Sequence, residues 1–349
     1  MISTQQHNKY LFPQSTALVD QLARCLEARR KHIDWEAIQA LRLFNGFYEG
    51  LPGLTADLFG HTLVLSNHQR QPEELRPALH TAADYYLKSV PEVQTILVKE
   101  RYAAGMEARQ GIMLSGSQLQ DITSENGVHY ALDLRLNQDC SFYLDTRQLR
   151  SWLYANCADQ TLLNCFAYSG ALGVAALAGG ARSVIQTDSN PAYLRLAERS
   201  AGLNPHRGSH TLLPMDYFKA ISQLKRQGRL FDCLILDPPL FSDSPTGRID
   251  LLHSWTGLIN KARPLVAHGG RLVVVNNALF LSGAAVAAEI NALEQTGYIR
   301  LEATVPVPQD LSGWPETRQA DPPTDPSPYN HPTKISILRV ERKDRALAN

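Results

Sequence analysis

Two segments of the central chain carry residues whose types and spacing suit the binding of a nucleoside. Ala167-Tyr168-Ser169-Gly170 follows the apolar run 161–166, and Asp188 ends the next apolar run. A glycine lets the backbone approach a ligand closely, and a carboxylate about twenty residues further on can accept both hydrogen bonds of a ribose diol. Gly170 and Gly173 do not complete the G-x-G-x-x-G pattern. The pairing with Asp188 favours a nucleoside-type ligand, and a tight crossover without a ligand is the alternative.

Later apolar runs also end on polar residues, namely Asp216, the segment Asp237-Pro238-Pro239-Leu240-Phe241 and the pair Asn276-Asn277. Parallel strands end at one edge of a sheet, so these residues are expected around one crevice with Ser169, Gly170 and Asp188. Several acids without a lysine argue against a polyphosphate and favour a nucleoside that carries positive charge. S-adenosylmethionine, with its sulfonium and ammonium groups, is the obvious candidate.

Asp145 and Arg147 lie just ahead of this unit. In an extended segment they would face the same way and could hold the amine and the carboxylate of one ligand. The alternative is an ordinary surface ion pair at a domain junction.

The segments around these residues alternate regularly between strand and helix patterns. Strands are predicted over 161–166, 183–187, 210–214, 231–236, 271–275, 299–305 and 334–340, and helices over 171–178, 191–203, 217–227, 250–263 and 284–296. This order predicts an α/β fold with a Rossmann-like, doubly wound sheet over residues 141–349.

The first 140 residues have a different pattern. Helices are predicted over 15–32 and 72–88, and strands over 40–44, 47–50, 54–65, 95–99 and 128–134. We therefore expect a small α+β domain over residues 1–140, which would have a solvated first helix or, alternatively, one that contacts RNA.

Composition and charge exclude several classes of protein. The 349-residue chain balances 34 Lys and Arg against 34 Asp and Glu, so any contact with nucleic acid must be a local patch. Its five cysteines form no C-x-x-C pair, which argues against disulfides and a metal site. The segment 1–7 lacks the pattern of a signal peptide, and no apolar run reaches eighteen residues. A cytoplasmic protein without a membrane span is expected; no oligomeric state follows from these patterns.

Four segments in order resemble class I S-adenosylmethionine-dependent methyltransferases that modify bases of the large ribosomal subunit RNA. They are Leu51-Pro52-Gly53-Leu54-Thr55-Ala56-Asp57, Phe142-Tyr143-Leu144-Asp145-Thr146-Arg147, Phe166-Ala167-Tyr168-Ser169-Gly170 and Asp237-Pro238-Pro239-Leu240-Phe241-Ser242. The resemblance covers roughly residues 40 to 342 and implies a class I methyltransferase domain over 141–349. It implies a donor site at Asp145, Arg147, Phe166, Tyr168, Ser169, Gly170, Asp188, Ser189, Asp216 and Tyr217.

The resemblance also implies an acceptor base at Asp237, Pro238, Pro239 and Phe241. Methyl transfer is an in-line displacement, so the protein mainly needs to hold donor and acceptor close together. The rigid turn can point the Asp237 carboxylate or a backbone carbonyl at a base amino group, and Phe241 can stack on a base withdrawn from its helix. The alternative is that the prolines only end the strand and Phe241 belongs to the core.

The pair Asn276-Asn277 bears on which base is modified. Members that make 5-methylcytosine need a thiolate, which they carry after the strand that corresponds to 271–275. Paired asparagines there are similar to the members that methylate guanine. Guanine is therefore favoured over cytosine, although asparagines at a strand end also form ordinary turns. Cys165 and Cys233 lie within apolar strands and are expected in the core.

The segment 305–333 contains eight prolines. So long a connection between strands is either a lid or poorly ordered. We expect a loop over the acceptor pocket, with Trp314, Tyr329 and His331 as contacts to the substrate.

Two other classes of function stay open. One is a methyltransferase that acts on a protein or a small molecule, which the neutral charge permits. The other is an S-adenosylmethionine-binding protein without turnover, because Asp139-Cys140-Ser141 stands where the family has a lysine and small residues.

Overall fold

The computed structural model describes residues 15–342, which form a five-stranded sheet, a seven-stranded sheet and two hairpins. The predicted absence of a signal peptide concerns segment 1–7, which lies outside the described residues. The elements of the first sheet and its helices are α1 (Ser15–His32), β1 (Ala40–Asn45), α2 (Gly46–Glu49), β2 (Leu54–Phe59), β3 (Thr62–Asn67), α3 (Pro72–Ser89), β4 (Thr95–Glu100), α4 (Met106–Gln110) and β5 (Ile112–Ser115).

The first sheet is antiparallel except for one pair of strands. Its order is β1-β2-β3-β4-β5, and β3 and β4 run parallel. The apolar face of α1, with Leu18, Leu22 and Leu26, packs into one core with α3 and strands β1 to β4. The apolar residues whose spacing predicted α1 therefore form the face that the helix buries.

The predicted strand over 47–50 is wrong, because these residues belong to the short helix α2. The Asn45 side chain accepts the Phe47 N–H at 3.3 Å, and Gly50 ends the helix at φ +103°. A capping side chain at one end and a left-handed glycine at the other outweigh the apolar pattern of so short a segment.

A hairpin and a helical turn connect the two sheets. The hairpin consists of β6 (Ile122–Glu125) and β7 (Val128–Ala131), which confirms the predicted strand in its first half. A 3-10 turn over Leu144–Thr146 then leads directly into α5 (Arg147–Asn156). Asp145 and Arg147 therefore lie on a helical turn and not in an extended segment.

The second sheet confirms the doubly wound α/β fold. Its order is β10-β9-β8-β11-β14-β16-β15; the first five strands are parallel, and β16 runs antiparallel to both neighbours. The elements of this half are β8 (Thr161–Cys165), α6 (Ala171–Ala178), β9 (Ser183–Asp188), α7 (Pro191–Gly202), β10 (Ser209–Pro214), α8 (Tyr217–Arg226), β11 (Phe231–Leu236), β12 (Phe241–Ser244), β13 (Gly247–Asp250), α9 (Trp255–Ala262), β14 (Val266–Asn276), α10 (Gly283–Glu294), β15 (Ile299–Val305) and β16 (Lys334–Val340).

The predicted helix over 250–263 begins later than expected, because a hairpin occupies the segment before it. Pro238 and Pro239 have no N–H to donate, so the chain cannot continue in the sheet after β11. It turns instead into the hairpin β12–β13, and α9 begins only at Trp255.

One apolar core crosses the predicted domain boundary. Phe59 and Leu97 of the first sheet belong to the same buried cluster as Leu162 and Ile337 of the second. The division at residue 140 stays a prediction, since the two sheets share this core.

Candidate active site

A cavity of about 690 Å³ lies at the carboxyl ends of β8, β9 and β11. Strands β9 and β11 flank β8, so the residues that follow these three strands meet at one edge of the sheet. The lining residues that the sequence predicted are Asp145, Phe166, Tyr168, Asp188, Ser189, Asp216, Tyr217, Asp237, Pro238, Pro239 and Asn277.

The turn after β8 positions the first part of the cavity wall. Phe166, Tyr168 and Gly170 all have positive φ, at 58°, 51° and 77°. Gly170 is required by packing, because a Cβ there would lie 2.3 Å from the Cβ of Ala197. Ser169 and Gly170 are not among the lining residues, so they shape the turn from behind the wall.

Asp188 ties the end of β9 to this turn. Its carboxylate accepts the N–H of Tyr168 at 3.0 Å and that of Asn190 at 2.9 Å. Burial raises the pKa of Asp188, and the backbone hydrogen bonds oppose that shift. Each carboxylate oxygen can accept a second hydrogen bond, which is the property that ribose recognition requires.

Asp216 lies beyond the end of strand β10 and caps the helix that follows it. It caps α8 by accepting the N–H groups of Phe218 and Lys219, at 3.0 and 3.2 Å. Burial opposes the ionisation of Asp216, but a hydrogen bond from the Thr246 hydroxyl and those of the cap hold its pKa below the usual value. Asp216 is therefore an ionised group at the cavity edge.

Asp237 is the most perturbed acid of the cavity. It follows β11 directly, and Pro238 and Pro239 line the cavity beside it. Burial, assisted by the nearby negative charge of Asp145, raises the pKa of Asp237 to about 7. A carboxyl group with this pKa can exchange a proton near neutral pH.

Aromatic rings form the rest of the wall. The Tyr168 ring lies 5.1 Å from that of Tyr143 and 4.6 Å from that of Tyr193, and the Asn137 amide donates to the hydroxyls of Tyr168 and Tyr193. Phe166 stacks on Tyr217 at 4.9 Å. Flat faces of this kind suit an adenine ring.

Sequence reasoning missed several lining residues. Tyr143 lies inside the segment 142–147 and could have been found there. No local sequence pattern places Asn137, Asp139 or Arg101 at the cavity. Arg101, for example, follows strand β4 of the other sheet.

The segment Asp139-Cys140-Ser141, which departs from the family's pattern, is held by a lysine from β4. Lys99 Nζ donates to the backbone carbonyls of Asn137 and Asp139, at 2.9 and 2.7 Å. Burial lowers the pKa of Lys99, and nearby acidic groups oppose that shift. An ammonium group thus supports this segment although the segment itself has no lysine.

Arg147 does not line the cavity, although the sequence predicted that it and Asp145 would face the same way and hold one ligand. Its guanidinium donates to both carboxylate oxygens of Asp310, at 3.1 and 2.9 Å, and to the carbonyl of Ala40 at 2.9 Å. Because helical geometry separates the two side chains, Asp145 lines the cavity and instead accepts the Thr333 hydroxyl at 2.8 Å.

The Pro-rich segment packs against α1 and α2 at one end and against strand β16 of the second sheet at the other. Trp314 is buried, stacks on His32 at 5.3 Å and lies beneath the Arg29 guanidinium. Tyr329 is buried and shares a 2.7 Å hydrogen bond with Ser336, and the His331 ring lies 6.4 Å from that of Tyr48. The cavity lining therefore does not include Trp314, Tyr329 or His331. Thr333 is the one residue of the segment 305–333 that lines it.

Two further predicted residues lie beside the cavity. Asn276 is buried, and its side chain accepts the Ala278 N–H at 3.0 Å. This hydrogen bond agrees with the alternative prediction that the asparagine forms an ordinary turn. Phe241 is 55% exposed, which excludes the alternative that it belongs to the core. The Arg248 guanidinium lies 4.9 Å from the Phe241 ring.

The charge of the cavity indicates the kind of ligand that it can hold. Six aspartates line it, and Arg101 is the one cation among the lining residues; the aspartates are Asp139, Asp145, Asp188, Asp216, Asp237 and Asp243. Within residues 15–342, no group of three or more His, Cys, Asp or Glu is arranged to hold a metal ion. The excess of carboxylates among the lining residues fits an organic cation such as a sulfonium with an ammonium group. None of the described helices has the length and hydropathy to cross a bilayer.

Comparison with known proteins agrees with this geometry. The profile of the S-adenosylmethionine-dependent methyltransferase family matches residues 41–304, which include the first sheet and most of the second. The chain belongs to this family, and its methyl donor is S-adenosylmethionine.

The chain is also similar to proteins named ribosomal RNA large subunit methyltransferase I. The identity is 30% over 71% of the chain for the protein of Aeromonas salmonicida and 31% over 73% for that of Erwinia tasmaniensis. These alignments cover 63% and 66% of the two relatives, so the chain spans about two thirds of their length.

Solved structures share the fold. A candidate methyltransferase complexed with S-adenosylhomocysteine has a TM-score of 0.81 at 20% identity, over 95% of this chain and 83% of that one. A candidate S-adenosylmethionine-dependent methyltransferase from Streptococcus mutans has a TM-score of 0.79 at 19% identity, over 97% and 84%.

Proposed function

We propose that this protein transfers a methyl group from S-adenosylmethionine to a base of RNA, that large-subunit ribosomal RNA is its substrate, and that guanine is favoured over cytosine. The observation that carries the proposal is the position of Asp237. Its carboxyl group, with a pKa of about 7, lies beside a Pro-Pro turn in the same cavity as Asp188. The names of the relatives support ribosomal RNA as the acceptor.

The donor end of the cavity is formed by Asp188 and the aromatic wall. Asp188 accepts hydrogen bonds from the ribose, and Phe166, Tyr168 and Tyr217 cover the flat and apolar parts of the ligand. Asp145 and Asp216 add negative charge opposite the ammonium group. S-adenosylmethionine supplies, when bound, an electrophilic methyl group on a cationic sulfur.

The acceptor end begins at Asp237. We propose that the Asp237 carboxylate accepts the proton that a nitrogen of the base loses. The turn formed by Pro238 and Pro239 positions that carboxylate. Phe241 lies at the start of the hairpin and is exposed, so its ring can stack on a base withdrawn from an RNA helix.

Guanine is favoured over cytosine because transfer to a nitrogen needs no thiolate. No cysteine is among the residues that line the cavity, and burial raises the pKa of the Cys165 thiol in the adjacent strand β8. Asn277 lines the cavity where a nucleophilic cysteine would be needed. All five cysteines are free, which supports a cytoplasmic location.

Mass spectrometry of nucleosides from ribosomal RNA tests the proposal. Cells with and without the protein should differ in one methylated guanosine of the large-subunit RNA. The purified protein should restore that mark in vitro with labelled S-adenosylmethionine. A methylated cytosine would contradict the choice of base, and label in cell protein alone would contradict RNA as the acceptor.

A further inference from the structure

A groove of about 470 Å³ lies beside the cavity, along the exposed face of α8. Lys219, Ser222, Gln223 and Arg226 line it from one helix face, because they are three and four residues apart. Phe218 lines both the groove and the cavity, so the two are adjacent.

Phe218 also contacts residues of two neighbouring elements, the hairpin β12–β13 and the helix α9. The hairpin packs against it so closely that a Cβ on Gly247 would lie 2.5 Å from the Phe218 ring. From α9, Lys261 Nζ lies 5.9 Å from the centroid of that ring. Arg248 extends from the same hairpin and is exposed. We call Lys219, Lys225, Arg226, Arg248 and Lys261 the cationic rim.

Acidic side chains neutralise the rim only in part. Lys219 and Arg248 each lie near an aspartate, at 3.6 Å from Asp216 and 3.7 Å from Asp250. Within the described part of the chain, Lys225, Arg226 and Lys261 form no ion pair. Lys225 and Lys261 instead lie close enough for repulsion, which adds to burial in lowering the pKa of Lys225.

We propose that the cationic rim binds the phosphates next to the target nucleotide of the acceptor RNA. The chain has no net charge, so attraction of a polynucleotide must come from a local patch of this kind. The cavity beside it is lined by six aspartates, which repel phosphate. The backbone must therefore stay on the rim while the neutral base enters alone. Phe241, under Arg248, lies where the base leaves the strand.

This inference rests on the proposed function, since phosphate binding serves a methyltransferase only when its acceptor is a polynucleotide. The test is the double variant Arg226→Gln/Lys261→Gln of the full chain, which removes one unpaired cation from each of two helices. The control is Lys88→Gln/Arg300→Gln, which removes the same charge from the exposed ends of α3 and β15.

Initial rates of labelled methyl transfer to large-subunit RNA are measured over RNA concentration at several salt concentrations. We expect the double variant to raise KM for RNA several-fold to about tenfold and to lower the slope of log KM against log salt by about 1.4 to 1.8, as for two lost phosphate contacts. The value of kcat and the affinity for S-adenosylmethionine should stay at the wild-type values.

An unchanged KM and salt slope would overturn the assignment of the rim while leaving the proposed function intact. An equal change in the control would overturn it as well, because net charge and not the rim would then be responsible. If the wild-type protein methylates no RNA but labels cell protein, the proposed function fails and the inference fails with it.

Discussion

Two regions of this protein differ in the partners that they give to buried or half-buried carboxylates. Where the first sheet meets α5 and the Pro-rich segment, Glu49 accepts two hydrogen bonds from Arg29, Glu125 two from Arg150 and Asp310 two from Arg147. In the cavity, by contrast, Asp145, Asp188 and Asp237 form no ion pair within residues 15–342, and their identified donors are a hydroxyl and backbone amides.

This difference separates groups that hold the fold from groups that await a ligand. A buried carboxylate paired with an arginine already has its negative charge balanced, so a cationic ligand would add little to it. A half-buried carboxylate without a cation keeps an unbalanced negative charge in the ligand-free protein, and a cationic ligand balances that charge. The shifts agree, since Arg147 lowers the pKa of Asp310 against the effect of burial, whereas burial raises that of Asp237.

The largest effect is expected for Asp310→Ala in the paired region. The substitution leaves the Arg147 guanidinium buried without its main partner, and it also removes the acceptor of the Arg42 N–H at 2.9 Å. The free energy of unfolding should fall by about 3–5 kcal/mol. Urea denaturation measures it.

The control for this prediction is Asp121→Asn, which breaks an exposed ion pair with Arg199. An exposed pair contributes about 0–1 kcal/mol, so this variant should unfold almost as the wild type does. Equal destabilisation by the two substitutions would show that burial does not distinguish the pairs.

Asp237→Asn should have the opposite effects on stability and on activity. Transfer to RNA should fall about 10²- to 10³-fold, as expected when a group that acts in the transition state is lost. Because the raised pKa means that the folded state resists ionisation, wild-type stability decreases as pH rises from about 4 towards 7. At pH 8 the variant should therefore be more stable than the wild type by about 1–3 kcal/mol without ligand. Normal turnover would show that the acceptor lies elsewhere.

The contrast between Asp237 and Asp310 also shows what the sequence can predict. Asp188, Asp216 and Asp237 could be assigned to one cavity because each follows an apolar strand pattern, and strand ends of a parallel sheet converge. Arg147 was predicted to bind the ligand, but in the structure it pairs with Asp310. Asp310 is 163 residues away in sequence, so no local pattern could predict this pairing.

Similar limits explain the other differences. The helix α2 depends on a cap by Asn45 that only three-dimensional geometry reveals. Trp314 was expected near the substrate because the long Pro-rich segment was predicted to be a loop over the acceptor pocket. Its partners Arg29 and His32 instead come from α1, which is nearly three hundred residues earlier. Periodic patterns thus predicted the strands and helices, and not the long-range polar contacts between them.

Asp188→Ala tests the unpaired region from its donor end. Hydrogen bonds to a charged group contribute about 1.5–3 kcal/mol, so the affinity for S-adenosylmethionine should fall about 10- to 150-fold. Isothermal titration calorimetry measures the dissociation constant, and circular dichroism verifies the fold. Unchanged affinity would remove Asp188 from the ribose role.

A smaller effect is expected from pH. The carboxyl group of Asp237 ionises near pH 7, and only its anionic form can accept the proton of the base. The kcat for transfer to RNA should therefore rise about tenfold between pH 6 and pH 8. Asp237→Asn serves as the control, since ionisation of the donor's own amine affects both proteins equally. An identical pH dependence in the two proteins would contradict this assignment.

The smallest effect is expected from cysteine replacement, because the chemistry assigned to the cavity uses oxygen groups alone. Cys140 lies next to the lining residue Asp139, and burial raises the pKa of its thiol to about 12. So weakly acidic a thiol supplies almost no thiolate at neutral pH. Cys140→Ala should keep wild-type kcat and KM, and Cys165→Ala should do so where the protein stays folded. Loss of transfer in a folded variant that still binds S-adenosylmethionine would restore a covalent mechanism, and with it cytosine as the target.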